Sequence, residues 1–323
     1  MPSGHLINRV SILGSGLIGG SFALALRKYT DGMHITAWDR PTVAIQAKNR
    51  GAVDDVFSGD IKPALQNADL IYIALPISTT LDLLPEIARH APSHALVTDA
   101  CSTKMRILQA AEDLFPSSGG PLFLGGHPMA GKESSGIANA DADLFRATTY
   151  AFIKRTSLDT ASLSEISSRT FALVEAPPPL PSESDASHDL SKEPRLSAFL
   201  KIVEKIGARP LWLGAQQHDY AVGLASHLPQ LSAIAMASFL YDHLDENGLP
   251  IALAGPGLRD SLRLAGSPYS TWRDIVLTNR EVLSAALDLF ARRLDELRDK
   301  LASRELEADF DAANELYKLL RSF

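Results

Sequence analysis

The chain has 323 residues, of which 46% are hydrophobic and 21% are charged. This composition is typical of a globular protein, and the length allows two domains. The net charge of −7 disfavours a surface that binds a nucleic-acid phosphate backbone, because nucleic-acid-binding proteins usually concentrate Lys and Arg on one face. We therefore expect a small-molecule partner and no nucleic acid.

The one cysteine, Cys101, allows no intramolecular disulfide and no cluster of thiolate metal ligands. This cysteine usage is typical of a reducing compartment, and the scattered histidines show no metal-ligand spacing. The apolar run after Arg9 is interrupted by four glycines between residues 14 and 20, and no other run is long enough to span a membrane. The sequence therefore predicts a cytoplasmic protein without a metal site or a membrane segment.

Short aliphatic or β-branched runs alternate with helical stretches from residue 9 to about residue 124. This alternation predicts an α/β fold of the Rossmann type, a doubly wound parallel sheet covered by helices. The predicted strands lie at residues 10–13, 35–38, 70–75, 96–98 and 122–125, and a run at 149–154 is expected to extend the sheet.

A glycine-rich turn connects the first predicted strand to the first predicted helix, a context that makes it a strong dinucleotide-binding signal. Gly14 permits a tight turn, Gly16 lets the backbone approach a pyrophosphate, and Gly19 allows close packing of helix on strand. The free N–H groups of the following helix favour phosphate binding. The predicted cofactor-binding turn consists of Gly14, Ser15, Gly16, Leu17, Ile18 and Gly19.

Asp39 ends the second predicted strand, 20 residues after Gly19. A carboxylate at this place accepts hydrogen bonds from a ribose diol and repels a 2′-phosphate, which favours NAD over NADP. Arg40 follows directly and could neutralise such a phosphate, so NADP stays open. Leu75 and Pro76, at the end of the third predicted strand, complete the predicted cofactor site.

A proline-rich stretch followed by Ser, Asp and Glu residues occupies positions 175–195. Such a segment buries too little apolar surface to fold, so it predicts an exposed, flexible loop inserted in the first domain. A predicted helix at 196–206 and a predicted strand at 209–213 follow it. We therefore expect a dinucleotide-binding domain at residues 1–214 and a helical substrate and dimerisation domain at residues 215–323.

The sequence predicts that the second domain is mostly helical. His218 and Asp219 are expected to cap or orient its first long helix. Core packing accounts for most apolar stripes of helical spacing, but long helices with broad apolar faces also pack against a second copy. We therefore expect a homodimer. The stripe consists of Leu283, Leu287, Phe290, Leu294, Leu297 and Leu301, and continues through Leu306, Phe310, Ala313, Tyr317 and Leu320.

Two polar clusters, at residues 97–104 and 125–133, follow consecutive predicted strands. Open α/β sheets bind ligands at the carboxyl ends of their strands, so both clusters are candidate parts of an active site. Together with Ser-His-Leu-Pro-Gln at 226–230 and the segment at 255–263, they resemble the prephenate/arogenate dehydrogenase family of tyrosine biosynthesis. The most specific part of this resemblance is the Gly-His-Pro-Met-Ala-Gly run at 126–131.

The resemblance implies an oxidative decarboxylation that depends on NAD or NADP, on a Rossmann domain followed by a helical dimerisation domain. In this reaction, the hydroxyl-bearing ring carbon loses hydride and the opposite ring carbon loses carbon dioxide, which leaves a phenol. The substrate is prephenate, with 4-hydroxyphenylpyruvate as the product, or alternatively arogenate, with tyrosine as the product.

The resemblance also assigns two catalytic residues. His127 accepts the hydroxyl proton, and general-base help of this kind accelerates a reaction by about a hundredfold to ten-thousandfold. Ser102 would donate a hydrogen bond to His127 or to the substrate hydroxyl, and so hold the histidine tautomer.

Five further residues are assigned to substrate binding by the resemblance. Arg263 binds the ring carboxylate, because a guanidinium matches a planar anion at two points. Glu133 and Arg259 are expected to pair as a gate across the cleft, and His227 to line the pocket. Many members carry a second histidine where this chain has Gln230, near the substrate side chain, so the choice between prephenate and arogenate stays open.

Two other functions are considered. A hydroxyacid dehydrogenase with a Rossmann and a helical domain generally uses a lysine on the helical domain, but residues 215–290 contain none. A non-catalytic NAD sensor would not require Ser102, His127 and Arg263. Because the sequence ends at Phe323, we expect no C-terminal regulatory domain, so any feedback inhibition would act at the active site.

Overall fold

The N-terminal part of the chain folds into alternating strands and helices. The computed structural model describes residues 6–115, 119–153, 193–244 and 248–322. The elements of this part are β1 (Arg9–Leu13), α1 (Leu17–Tyr29), β2 (His34–Trp38), α2 (Pro41–Asn49), β3 (Asp55–Phe57), α3 (Lys62–Leu65), β4 (Leu70–Ile73), α4 (Ile77–His90), β5 (Leu96–Asp99), α5 (Met105–Leu114), β6 (Leu122–Pro128), a 3-10 turn (Ile137–Asn139), β7 (Thr149–Ile153), α6 (Pro194–Lys205) and β8 (Arg209–Leu213).

These strands form one eight-stranded sheet in the order β3-β2-β1-β4-β5-β6-β7-β8. The pairs from β3 to β6 are parallel, whereas β7 runs antiparallel to β6 and parallel to β8. The predicted Rossmann-type α/β fold is confirmed. The short edge strand β3 and the reversed direction of β7 and β8 were not predicted, since strand direction depends on pairing between distant segments.

The strand pairing brings the predicted cofactor-binding residues together at the carboxyl ends of neighbouring strands. Leu13 at the end of β1 pairs with Trp38 on one side and with Ile73 on the other. Gly14 and Asp39 therefore leave the sheet side by side. The chain order reverses between β1 and β4, and open α/β sheets bind ligands at such a switch point.

Two apolar clusters cover the two faces of the sheet. Ile12 and Phe22 belong to one cluster, and Leu13 and Leu84 belong to the other. Successive residues of a strand point to opposite faces, which explains why Ile12 and Leu13 fall in different clusters. All four residues of β4 are buried, as expected for a central strand covered on both sides.

The C-terminal part of the chain is helical. Its elements are α7 (Ala215–Val222), a π-helical segment (Gly223–His227), α8 (Leu228–Asp242), α9 (Leu249–Ala252), α10 (Pro256–Leu262), a 3-10 turn (Arg263–Gly266), α11 (Tyr269–Thr278), α12 (Arg280–Asp299) and α13 (Leu306–Ser322). The expected domain boundary at Gly214 lies between β8 and α7. None of the helices in the described ranges is long and apolar enough to cross a membrane.

The structure describes the end of the loop expected at 175–195 and the apolar stripe from Leu283 to Leu320. Most of the loop expected at 175–195 lies outside the described residues. Its last two residues belong to α6, and the side chain of Glu193, directly before this helix, accepts a hydrogen bond from the backbone of Arg195. Most members of the C-terminal apolar stripe are not packed into the core of the single chain. Leu283 is buried, but Phe290 is 37% exposed and Leu301 is 71% exposed.

Candidate active site

The glycine turn after β1 has the geometry of a dinucleotide cradle. Gly14 has a φ of +92°, and a Cβ there would lie 2.4 Å from the carbonyl oxygen of Ala74. A Cβ on Gly19 would lie 1.9 Å from the carbonyl oxygen of Gly14, so both positions require glycine. A Cβ on Gly16 would meet nothing within 4 Å. Space for a ligand is therefore open above Gly16, where helix α1 begins without a side-chain cap.

Asp39 is held against this turn. Its Oδ2 atom accepts hydrogen bonds from the backbone N–H of Ser15, at 2.7 Å, and from the Ser15 hydroxyl, at 3.3 Å. Its Oδ1 atom accepts a hydrogen bond from the backbone N–H of Arg40, whose side chain is 84% exposed. The carboxylate thus has a fixed orientation beside the open space, as binding of a ribose diol requires.

Leu75 and Pro76 lie on the other side of the glycine turn. A Cβ on Gly14 would lie 2.9 Å from the Cδ2 atom of Leu75, and Pro76 directly precedes α4. The open space above Gly16, the uncapped helix and the fixed carboxylate of Asp39 together fit a dinucleotide.

His127 lies near the carboxyl end of β6 and is hydrogen-bonded to a second histidine. The Nδ1 atom of His127 is 2.9 Å from the Nε2 atom of His218, and the Nδ1 atom of His218 is 2.8 Å from the Oδ1 atom of Asp219. A carboxylate only accepts hydrogen bonds, so the proton of a neutral His218 is on its Nδ1 atom. His127 then donates from its own Nδ1 atom, which leaves a lone pair on its Nε2 atom.

The surroundings of His127 keep it neutral. Burial lowers the pKa of His127 well below the ordinary value of 6.5, and the positive charge of Lys104 lowers it further. A neutral imidazole with a free lone pair is a proton acceptor at physiological pH.

A buried ion pair anchors the backbone directly before His127. The Lys104 ammonium, which is fully buried, donates to a carboxylate oxygen of Asp99 and, at 2.6 Å, to the carbonyl oxygen of Gly126. Asp99 in turn accepts a hydrogen bond from the backbone N–H of Gly126 at 3.2 Å. Both backbone polar groups of Gly126 are therefore fixed by this pair.

Asp219 connects the two parts of the chain, and its role differs from the expected one. Its carboxylate accepts hydrogen bonds from the backbone N–H groups of Lys104 and Met105, at the start of α5, at 2.7 and 2.9 Å. Asp219 therefore caps a helix of the other domain rather than its own helix, while His218 orients His127.

Ser102 does not hold His127. Among the described residues, no hydrogen bond joins the two side chains, and the Nδ1 atom of His127 is bound to His218 instead. Ser102 is half-buried in the loop after β5. The expected bond from Ser102 to His127 is absent, which leaves the substrate hydroxyl as its predicted partner.

His227 is buried at the end of the π-helical segment. Its Nδ1 atom accepts a hydrogen bond at 3.2 Å from Asn279, whose side-chain amide also donates to the backbone oxygen of Asp219 at 2.8 Å. The ring of Trp272 meets the His227 ring edge-on, with centroids 5.8 Å apart. Burial lowers the pKa of His227 to about 4, so this histidine is also neutral.

The expected gate pairs with a different arginine. Glu133 Oε1 lies 2.8 Å from the Nη1 atom of Arg263, and the two side chains are 69% and 60% exposed. Arg259, on α10, has an exposed side chain with no ion pair to any described residue. The pairing of Glu133 with Arg259 is therefore wrong: Arg263 follows the last residue of α10, and it is this side chain that reaches the loop after β6.

Gln230 is buried in α8, with 1% of its surface exposed. Its Nε2 atom donates a hydrogen bond at 2.8 Å to the backbone oxygen of Leu264. Its side chain therefore contacts the 3-10 turn that carries Arg263.

Two family profiles match the chain. The profile described as "Prephenate dehydrogenase, nucleotide-binding domain" matches residues 22–175, and the profile described as "Prephenate dehydrogenase, dimerization domain" matches residues 214–321. The prephenate dehydrogenase of Lactococcus lactis subsp. cremoris is 31% identical over 303 residues, which are 94% of this chain and 73% of that protein.

The chain belongs to the prephenate dehydrogenase family. The cyclohexadienyl dehydrogenase of Zymomonas mobilis is 24% identical and covers 93% of this chain and 90% of its own. Among solved structures, the prephenate dehydrogenase of Aquifex aeolicus, in complex with hydroxyphenyl propionate and NAD+, has a TM-score of 0.78 at 24% identity, with 98% of each chain covered. That structure shares the fold. The resemblance drawn from the sequence is confirmed.

Several residues that hold His127 and His227 in this prephenate dehydrogenase family member were not predicted to do so. They are Asp99, Lys104, His218, Asp219 and Asn279. Asp99 and Lys104 lay within a polar cluster singled out from the sequence, and charged side chains beside a buried strand must find partners. That signal could have found the ion pair, but the pairing of His218 with His127 has no local signature.

Proposed function

We propose that this protein catalyses the NAD-dependent oxidative decarboxylation of prephenate to 4-hydroxyphenylpyruvate. The proposal is carried by the neutral imidazole of His127, whose Nδ1 atom faces His218 and whose Nε2 atom is left to accept a proton. A hydroxyl-bearing carbon that loses hydride needs such a base. Membership of the prephenate dehydrogenase family supports this substrate.

The Nε2 atom of His127 takes the hydroxyl proton in the transition state and returns it to the oxygen of the phenol. As the imidazole gains positive charge, the acceptor on its other side, His218, and the carboxylate of Asp219 stabilise it. Ser102 donates a hydrogen bond to the same hydroxyl oxygen. The electrons of the breaking bond to carbon dioxide enter the ring, which becomes aromatic.

Arg263 binds the ring carboxylate of the substrate in this proposal. Its ion pair with Glu133 is exposed on both sides, and such surface pairs contribute only about 0–1 kcal/mol. The substrate carboxylate can therefore replace Glu133 at low cost. Gln230 positions the turn through the backbone of Leu264, and His227 lines the pocket next to Trp272. Arg259, on α10, is proposed as a second positive charge that attracts the anionic substrate.

The cofactor is proposed to lie across the switch point of the sheet. The backbone from Gly14 to Gly19 and the start of α1 would hold the pyrophosphate, and Asp39 would accept hydrogen bonds from the ribose diol. NAD is favoured because Asp39 disfavours a 2′-phosphate; NADP is the alternative, through the exposed Arg40. When bound, the nicotinamide supplies the acceptor for the hydride.

Arogenate is the alternative substrate. It differs from prephenate only in carrying an amino acid instead of a keto acid on the side chain. Gln230, where many members have a histidine, and the similarity to a cyclohexadienyl dehydrogenase both support testing it.

The test is a four-way assay of prephenate or arogenate with NAD or NADP, followed by the absorbance of the reduced nicotinamide. We expect the fastest turnover with prephenate and NAD. His127→Asn is expected to lower turnover about a hundredfold to ten-thousandfold while NAD binding is kept. No turnover of either acid with either cofactor, or near-full turnover by His127→Asn, would contradict the proposal.

We also propose that the protein acts as a homodimer through its C-terminal helices. Residues 214–321 match the dimerization domain of the family. Large apolar side chains are exposed there, which is typical of an interface. They include Phe239, Tyr241, Leu253, Leu294, Leu301, Phe310, Tyr317 and Leu320. A monomeric profile in analytical ultracentrifugation at working concentration would contradict this proposal.

A cytoplasmic location is proposed as well. The sequence has a single cysteine, and Cys101 is buried. A thiol that is neither paired nor accessible is compatible with a reducing compartment.

A further inference from the structure

Asp274 joins the helical part of the chain to the nucleotide-binding sheet. It lies on α11 and is 8% exposed. Its Oδ2 atom accepts two hydrogen bonds from Ser78, one from the backbone N–H at 2.9 Å and one from the hydroxyl at 2.6 Å. The two residues are 196 positions apart in the sequence.

Ser78 belongs to the first turn of α4, a helix that has no cap of its own. The residue before α4 is Pro76, and no side chain of its own segment caps the helix. The first turn of a helix leaves N–H groups without a partner and favours negative charge. Asp274 supplies both an acceptor and a negative charge, so α4 is capped by a residue from the other domain.

The start of α4 is also one wall of the proposed cofactor site. Leu75 and Pro76 precede it, and Leu75 packs against the glycine turn at Gly14. The loops after β1 and β4 face each other across the switch point, where open sheets bind dinucleotides. A group that fixes Ser78 therefore fixes this wall.

The helix that carries Asp274 reaches the proposed substrate site as well. Trp272 meets the ring of His227 edge-on. Thr278, at the other end of α11, has its hydroxyl oxygen 2.7 Å from that of Thr103, in the loop that also carries Ser102. One helix therefore contacts the walls of both sites.

We propose that Asp274 is a positioning residue that holds the loop after β4 against the dinucleotide and thereby keeps the cofactor and substrate sites in fixed relation. This proposal rests on the proposed NAD-dependent function for its purpose. Its direct consequence is a contribution of Asp274 to NAD+ affinity, although Asp274 is not expected to touch the cofactor.

The test measures NAD+ binding to the full chain by calorimetry, well below the thermal midpoint of each variant. Asp274→Ala is expected to raise the Kd for NAD+ about 5- to 30-fold, the range that corresponds to losing a helix cap with two hydrogen bonds. Asp274→Asn should restore most of the affinity, because its amide oxygen can still accept from the N–H of Ser78. Arg273→Ala is the matched control. It removes the other hydrogen bond to the Asp274 carboxylate and should leave the Kd within about twofold.

Ser78→Ala provides a second, milder variant if Asp274→Ala does not fold. It should weaken NAD+ binding by a smaller factor, and should add nothing in the Asp274→Ala background because the partner of the hydroxyl is already gone. A lower thermal midpoint with an unchanged Kd for NAD+ in Asp274→Ala, or in Ser78→Ala if Asp274→Ala fails to fold, would overturn the proposal. Binding is measured without turnover, so inactivity of the wild type toward both acids would count against the proposed function alone.

Discussion

The Nδ1 atom of His127 lies 2.9 Å from the Nε2 atom of His218, although the two residues are 91 positions apart. With Asp219 on the far side of His218, this contact decides which nitrogen of His127 carries the proton. It also places a residue of the helical part of the chain directly behind the proposed base.

Replacing His218 should therefore lower kcat more than it changes substrate binding. We expect His218→Leu to reduce kcat about tenfold to a hundredfold, because His127 loses the acceptor that fixes its tautomer. His218→Gln, whose side-chain oxygen can accept from His127, should retain more activity. Steady-state kinetics of both variants check this expectation. Equal losses in the two variants would show that tautomer control is not the role of His218.

The activity should persist at a pH where an ordinary histidine is already protonated. The pKa of His127 is lowered well below 6.5, mainly by burial, and only its neutral form accepts a proton. As the pH falls through 6.5, kcat/KM should therefore stay nearly constant and decline only at lower pH. A profile from about pH 5 to about pH 8 tests this, with NAD+ affinity over the same range as the control. An apparent pKa at or above 6.5 for the acid limb would contradict it.

Arg263→Ala should act on substrate affinity. Losing a charge-assisted hydrogen bond to the ring carboxylate should raise the KM for the acid substrate about 10- to 150-fold while the KM for NAD changes little. Glu133→Gln removes only a competing partner, so its KM should stay within about threefold of the wild type. If Glu133→Gln raised KM as much as Arg263→Ala does, Glu133 would be a substrate ligand rather than a replaceable partner.

Breaking the buried ion pair should destabilise the fold. Lys104→Met leaves the Asp99 carboxylate buried without its cation, and we expect a loss of about 3–5 kcal/mol in the free energy of unfolding. The double variant Asp99→Asn, Lys104→Met should be less destabilised than Lys104→Met, because no charge is left unpaired. Urea denaturation measures both. Lys318→Met, at an exposed ion pair, is the control and should change stability by less than about 1 kcal/mol.

His227 should make the fold less stable in acid. Its pKa is lowered from 6.5 to about 4 in the folded chain, so the unfolded chain binds more protons between these values and stability falls as the pH drops through this window. The difference corresponds to at most about 3 kcal/mol. Between about pH 7 and about pH 4.5, His227→Gln should therefore lose less stability than the wild type. His243→Gln, at an exposed histidine, should follow the wild type; the same behaviour for His227→Gln would refute the assignment.

Local features of the sequence were sufficient to predict the residues of the proposed cofactor site. Gly14 has a positive φ in the turn, Gly19 is required by a contact within the same strand-turn-helix unit, and Asp39 ends the next strand. Turn chemistry and strand periodicity act over a few residues, so they can be read from the chain directly. The motif around His127 likewise gave the family, because its residues are consecutive.

The partners of these residues were decided only by the tertiary structure. His127 with His218, Glu133 with Arg263 and Ser78 with Asp274 are pairs separated by 91, 130 and 196 positions. Side-chain pairs of this kind depend on where helices end and how they pack on the sheet, which no local pattern encodes. The sequence by itself thus determined the α/β fold, the nucleotide cradle and the family, while packing between the two parts of the chain decided how His127 is oriented and which arginine faces Glu133.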